Sequence, residues 1–171
     1  SRMTQELGST ETARLVQRHR DLLLPIVEKE GGHGKSTGGD GLLAAFDTPA
    51  AALKAAVLMQ RALADYNAKR PGEDEILVRA GVASGEVVLD RGGKPFLGDA
   101  LNRAARVMSL ADGGQVFATR EDTEAAGPAP FGSVSHGEFR LKNIAAPVEV
   151  IEVLWSEDQQ ARPPHETTGE A

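Results

Sequence analysis

Two polar side chains on one predicted helix could together hold an anionic, hydroxylated ligand. Asn102 and Arg106 are four residues apart, so on a helix they project from the same face about one turn from each other. Asn102 offers a neutral amide, and Arg106 offers a planar cation suited to phosphate oxygens. The same spacing also fits an ordinary solvated helix face, so other parts of the chain must decide between the two interpretations.

The helix that carries this pair is predicted to begin at Asp99. Its short acceptor side chain is suited to capping a helix. Residues 100–107 are mostly Ala, Leu and Arg, which are good helix formers. Gly113 and Gly114 then stop the helix. Arg103 points to another side of this helix and is expected to be solvated.

A second informative stretch is residues 31–41, of which seven are glycine or aspartate. This composition disfavours a helix and indicates either a tight turn with positive φ or the close approach of a ligand to the backbone. Because the short apolar run 42–46 follows it, we predict a hairpin with Asp40 at or near its tip.

The rest of the chain alternates between helical and extended patterns, which is typical of an α/β (α+β) fold. Thr48 and Pro49 are a strong helix start, and Pro25 is expected to kink or split the first helix. The predicted helices cover residues 11–30 and 48–67, and the predicted extended segments cover residues 76–89 (broken near 81–85), 115–119, 137–142 and 148–154. Residues 120–131 are expected to form a loop with a helical turn.

The length of 171 residues favours one domain, which we place at residues 1–155. Residues 156–171 are rich in Pro, Glu, Gln and Thr, so we predict a disordered tail there.

Composition also limits the partners. The formal net charge is −6, with no basic run, which argues against nucleic acid as a partner. The absence of cysteine is compatible with a reducing cytoplasm, where we expect the protein to act. No apolar run approaches the length of a membrane span, so we expect no membrane segment in this chain.

Four separated blocks resemble the class III nucleotidyl (adenylate/guanylate) cyclase catalytic domain, in the family's order. They are residues 39–46, residues 79–88, the Gly98-x-x-x-Asn102-x-Ala104-Ala105-Arg106 motif with residues 113–116, and residues 141–150. The resemblance implies a ferredoxin-like βαββαβ palm with extra strands. The family's opening strand, which is central in the sheet, would fall just ahead of Ser1, so we expect it to be missing from this chain.

The resemblance assigns catalytic roles to Asn102 and Arg106, which in the family stabilise the transition state of cyclisation. Asp40 matches the second of two carboxylates that hold two Mg²⁺ or Mn²⁺ ions, although it could be an ordinary turn residue. The first carboxylate has no match here, through either truncation or degeneration, so we expect low turnover from the chain as given. Arg79 and Lys142 match cations that contact the polyphosphate, although either could be a solvated surface residue.

The positions that read the purine in this family match less well. They hold Ser36 and Pro95. Lys35 is one residue from the expected lysine position and could serve if the loop is shifted, whereas the Pro95 side chain cannot hydrogen-bond a base.

The resemblance implies that ATP (or, less favoured, GTP) is converted to a 3′,5′-cyclic nucleotide and pyrophosphate for intracellular signalling. It also implies a homodimer with shared sites, to which Asp40 contributes from one side and Asn102 and Arg106 from the other. The alternative is a catalytically degenerate module that binds nucleotide or dimerises in order to regulate attached domains.

Overall fold

The computed structural model describes residues 9–37 and 41–165, with the backbone alone for residues 9–13. The helices are α1 (Ser9–Lys29), α2 (Pro49–Ala68), α3 (Asp99–Met108) and α4 (Arg120–Ala126). The strands are β1 (His33–Ser36), β2 (Leu42–Ala45), β3 (Ala80–Val82), β4 (Val88–Leu89), β5 (Pro95–Leu97), β6 (Val116–Thr119), β7 (Ser133–Phe139) and β8 (Val148–Val153). No helix within these described ranges is both long and apolar enough to cross a membrane.

A four-stranded mixed sheet forms the centre of the fold, in the order β3-β6-β8-β7. Strands β3 and β6 are parallel, and the other two pairs are antiparallel. Two separate hairpins, β1–β2 and β4–β5, complete the strand pairs of the described residues. The predicted α/β class is confirmed, and so is the predicted hairpin, in which residues 37–41 join β1 to β2.

Strand alternation on β6 places helices on opposite faces of this sheet. Phe117 is fully buried with Val107 of α3 and Val150 of β8. Its neighbours on the strand, Val116 and Ala118, are buried with Leu53 and other residues of α2. Because successive strand residues point to opposite faces, α3 packs on one face and α2 on the other. Because Val107 is buried against the sheet, the polar side of α3 points away from it.

The start of α3 differs from the prediction that Asp99 caps it. Gly98 is the N-cap residue, with φ of 142° and no side-chain cap, and Asp99 is the first helical residue. A Cβ at Gly98 would collide with the Glu86 backbone, so only glycine fits there. Asp99 still favours the helix through its charge in the first turn.

Helix α3 ends at Met108, before the predicted stop at Gly113, because Leu110 and Ala111 turn into the core and are 1% and 0% exposed. Helix α1 is continuous through Pro25, which excludes the split but not the kink that the sequence predicted there as alternatives. The buried neighbours Leu23 and Val27 hold that helix against the core. The Thr48 cap is confirmed by the hydrogen bond that it accepts from the Ala51 N–H at 3.1 Å. Residues 120–131, predicted as a loop with a helical turn, contain the seven-residue helix α4.

Residues 156–165 lie against the domain, although the sequence favours a disordered tail there. The Arg162 N–H donates to Glu152 Oε1 at 3.1 Å, and the Gln115 side chain donates to the Arg162 carbonyl at 3.0 Å. The His165 N–H donates to the Leu110 carbonyl at 2.9 Å. The fully buried Glu152 needs such partners, which explains why a polar segment packs here. The division at residue 155 stays a prediction.

Gly81 on β3 sets how closely α3 approaches the sheet. A Cβ at this position would lie 2.6 Å from the Met108 backbone nitrogen and closer still to the Ala104 carbonyl oxygen. We expect Gly81→Ala to lower the free energy of unfolding by about 2 kcal/mol, because helix backbone must move aside. Urea denaturation measures this change. Gly92→Ala is the control, since a Cβ there meets only the Asp90 side chain at 3.5 Å; equal stability of the two variants would contradict the prediction.

The carboxylate of Glu149, on β8, makes the stability of the fold depend on pH. Hydrogen bonds from Arg120 (2.6 Å) and Ser135 (2.7 Å) lower the pKa of Glu149 to about 2 from its ordinary value of 4.5. A depressed folded-state pKa gives stability that is present above pH 4.5 and is lost as the pH falls toward 2. We expect Glu149→Gln to be less stable than the parent chain at pH 7, with the difference shrinking at pH 3. Thermal unfolding at both pH values tests this, and a difference independent of pH would contradict it.

Candidate active site

A surface groove of about 550 Å³ lies between α3 and the turn that leads from β7 to β8. Its lining includes three of the six site residues predicted from the sequence, Asn102, Arg106 and Lys142. The other residues that line it are Asp99, Arg103, Ala105, Asn143, Ile144 and Ala145. The structure therefore brings together two segments that are about 40 residues apart in the chain.

The groove carries a positive charge in a chain whose net charge is negative. Its lining contains three cationic side chains, Arg103, Arg106 and Lys142, and one carboxylate, Asp99. The side chains of Asn102, Arg106 and Lys142 form no hydrogen bond or ion pair with any described residue. The positive charge of the groove and its free hydrogen-bond donors favour an anionic ligand such as a phosphate.

Arg103, which was expected to be solvated on another side of the helix, is half-buried and also lines the groove. Its Nη1 donates to the Ser84 carbonyl at 2.7 Å. The Ser84 hydroxyl in turn donates to the buried Asp122, which also accepts from the Thr119 hydroxyl at 2.9 Å. Arg103 thus ties α3 to the loop after β3, and helix spacing alone could not reveal a partner 19 residues away.

The opposite wall of the groove is anchored to α3 through the core. Leu141 is buried in the same cluster as Val107 of α3, and Ile144 packs against that cluster. The Ile144 N–H donates to the Leu141 carbonyl at 3.1 Å and closes a turn. The two residues between them, Lys142 and Asn143, are exposed and line the groove.

Lys35 lies outside the groove, on β1, and its side chain reaches the β4–β5 hairpin. Its ammonium is 3.6 Å from Asp90 Oδ2 and 5.6 Å from the centre of the Phe96 ring. Asp90 accepts from the backbone N–H groups of Lys94 and Gly92. The hydrogen bond from Lys94, then that from Gly92 and the charge of Lys35, hold the pKa of the Asp90 carboxyl below its ordinary value. Lys35 is therefore engaged with a carboxylate that sequence reasoning did not single out.

Of the two remaining candidates, Arg79 is not brought to the groove. Arg79 immediately precedes β3, is exposed, and is absent from the residues that line the groove. Asp40 lies outside the described residues. Within the described ranges, no group of three or more His, Asp or Glu side chains is arranged to hold a metal ion.

The comparisons with known proteins agree with one family. A Rhizobium meliloti protein provisionally named adenylate cyclase 3 is 31% identical over 95% of this chain, which spans 27% of that relative's length. The crystal structure of an adenylate/guanylate cyclase/hydrolase from Silicibacter pomeroyi is 30% identical, covers 90% of this chain and 89% of its own, and superimposes with a TM-score of 0.74. The adenylyl cyclase CyaB from P. aeruginosa, at 17% identity, shares the fold with a TM-score of 0.71 over 94% of this chain and 90% of its own. No protein-family model matches the chain.

The Silicibacter relative matches nine-tenths of both chains at 30% identity. This chain therefore belongs to the class III adenylate/guanylate cyclase family, as the four sequence blocks predicted.

Proposed function

We propose that this domain converts ATP to 3′,5′-cyclic AMP and pyrophosphate, as part of an intracellular signalling protein. The observation that carries the proposal is the positive groove, in which Asn102, Arg106 and Lys142 have no partner among the described residues. In the reaction, the ribose 3′-hydroxyl gives up its proton to water and its oxygen forms a bond to the α-phosphorus. The bond from that phosphorus to the oxygen that bridges it to the β-phosphorus breaks, and pyrophosphate leaves.

The groove residues match the charge that this reaction develops. Arg106 would donate to the α-phosphate oxygens, on which negative charge grows in the transition state. Asn102, one turn earlier on the same face, would orient the ribose, and Lys142 would hold the leaving pyrophosphate. Arg79 and Lys35 stay predictions as further contacts to the phosphates and the base.

The divalent ions of the reaction fit Asp40 and not the groove itself. The groove lining has three cations and one carboxylate, an arrangement that would repel Mg²⁺. Asp40 offers the oxygen ligand that Mg²⁺ prefers. When bound there, Mg²⁺ or Mn²⁺ would lower the pKa of the 3′-hydroxyl and neutralise phosphate charge. The groove lining supplies a single carboxylate, Asp99, which supports a site completed by Asp40 from a second copy of the chain.

The exposed side of the β4–β5 hairpin also supports a homodimer. Phe96 and Leu97 are 57% and 50% exposed, and Val88 and Leu89 of the paired strand are exposed as well. Four large apolar side chains exposed on one hairpin favour an interaction surface there.

A second candidate function, a degenerate module that binds nucleotide weakly or only dimerises, has two observations in its favour. Lys35 is paired with Asp90, and Pro95 is buried and has no side-chain donor. The positions proposed to read the purine are thus altered, which also leaves GTP as the alternative substrate.

The two functions are separated by assaying cyclic nucleotide production with Mn²⁺ and either ATP or GTP. The assay uses this chain and a version extended upstream of Ser1. Formation of cyclic AMP in preference to cyclic GMP supports the proposal. No product from a folded, dimeric, extended protein removes it in favour of the degenerate module.

A further inference from the structure

One residue of the groove has an unusual backbone conformation. Among the described residues, Asn143 is the only non-glycine residue with a positive φ, at 64°. The turn closed by Leu141 and Ile144 places Asn143 at its third position. A positive φ at that position is normally provided by glycine or asparagine.

Glycine would satisfy this backbone requirement without steric cost. Asparagine satisfies it as well and adds an amide, which here lines the groove. That amide forms no hydrogen bond with any described residue, so the turn does not use it internally. The positive φ therefore explains why few residue types fit at position 143. It leaves the Asn143 amide free to bind a ligand in the groove.

The position of this turn relative to α3 is fixed. Leu141 and Ile144, on either side of the tip, pack with Val107 on the buried face of α3. The turn and the helix are thus anchored to one cluster, so the backbone of Asn143 keeps a constant position beside the groove that Arg106 and Lys142 also line.

We propose that Asn143 is a substrate-binding residue whose amide donates a hydrogen bond to the polyphosphate of the nucleotide. This inference rests on the proposed cyclase function. A neutral donor next to Lys142 adds direction without adding charge, and it binds a phosphate oxygen that the two cations leave free.

Two variants separate this role from a turn role. Asn143→Gly keeps the backbone conformation and removes the amide. Asn143→Asp keeps the size and the tolerance of positive φ but replaces the donor with a carboxylate that repels phosphate. We expect the Kd for inorganic pyrophosphate with Mn²⁺, measured by calorimetry, to rise about 3- to 10-fold in the Gly variant. We expect a further rise of about 10-fold or more in the Asp variant.

Thermal unfolding controls for folding, and Lys69→Ala, on the exposed end of α2, controls for the loss of an unrelated polar side chain. If both Asn143 variants bind pyrophosphate as the parent chain does, Asn143 is a turn residue only and the inference is wrong. That result is distinct from failure of the proposed function, which would show as pyrophosphate binding that depends on Asn143 without any cyclic nucleotide product. A parent chain that binds no pyrophosphate overturns both.

Discussion

Arg106→Ala is expected to lower kcat by about 10²–10³-fold, with a much smaller change in KM. The guanidinium lies in the groove without a partner among the described residues, so its charge is available to the α-phosphate as negative charge grows there. Because the side chain would bind the transition state more strongly than the ground state, its loss affects turnover more than substrate binding.

The measurement is the initial rate of cyclic AMP formation with Mn²⁺, using radiolabelled ATP so that slow turnover stays detectable. Arg106→Lys tests geometry, since an ammonium keeps the charge but lacks the planar fork. Lys69→Ala, remote from the groove, should match the parent chain. If Arg106→Ala retained parent-level kcat, the proposed transition-state role would be wrong.

Mixing two inactive variants should restore activity. Asp40→Ala and Arg106→Ala are each expected to be nearly inactive alone. If each site combines Asp40 of one copy with Arg106 of the other, a mixed dimer has one intact site and one site that lacks both residues. Random exchange at equal concentrations then gives about a quarter of the parent activity, because about half of the dimers are mixed and each has one working site.

The same mixing experiment contains its own control. The double variant that carries both substitutions on one chain, mixed with either single variant, reconstitutes no intact site. Sedimentation velocity confirms that the variants still dimerise. Activity that stays at the level of the separate variants, in a mixture shown to exchange subunits, would place Asp40 and Arg106 in the same copy or outside the site.

The helical part of the site could be predicted because its signals are local. The Ala, Leu and Arg content of residues 100–107 predicted α3, and the four-residue spacing put Asn102 and Arg106 on one face. The exact end of the helix was harder to predict from the sequence. Burial of Leu110 and Ala111 depends on the core and not on the glycines that follow.

Contacts between distant segments explain most of what the sequence did not predict. The bond from Arg103 to Ser84 crosses between α3 and the loop after β3, and the Lys35–Asp90 pair joins two hairpins. No local pattern encodes either contact. Asn143 is different, because a Lys-Asn pair between two apolar residues is a turn signal, and this signal could have placed an amide beside Lys142.

The packing of residues 156–165 decides where this domain can be shortened. Glu152 is fully buried, and it accepts hydrogen bonds from the Arg162 backbone and the Gln159 side chain in addition to its contact with His136. A chain cut after residue 155 would leave that carboxylate with fewer donors, and it would leave the Leu110 carbonyl, just beyond α3, without the His165 N–H. A chain that ends after residue 165 keeps both sets of contacts, so the shortest form of the domain that preserves the region just beyond the helix of Asn102 and Arg106 extends past the sequence-predicted boundary.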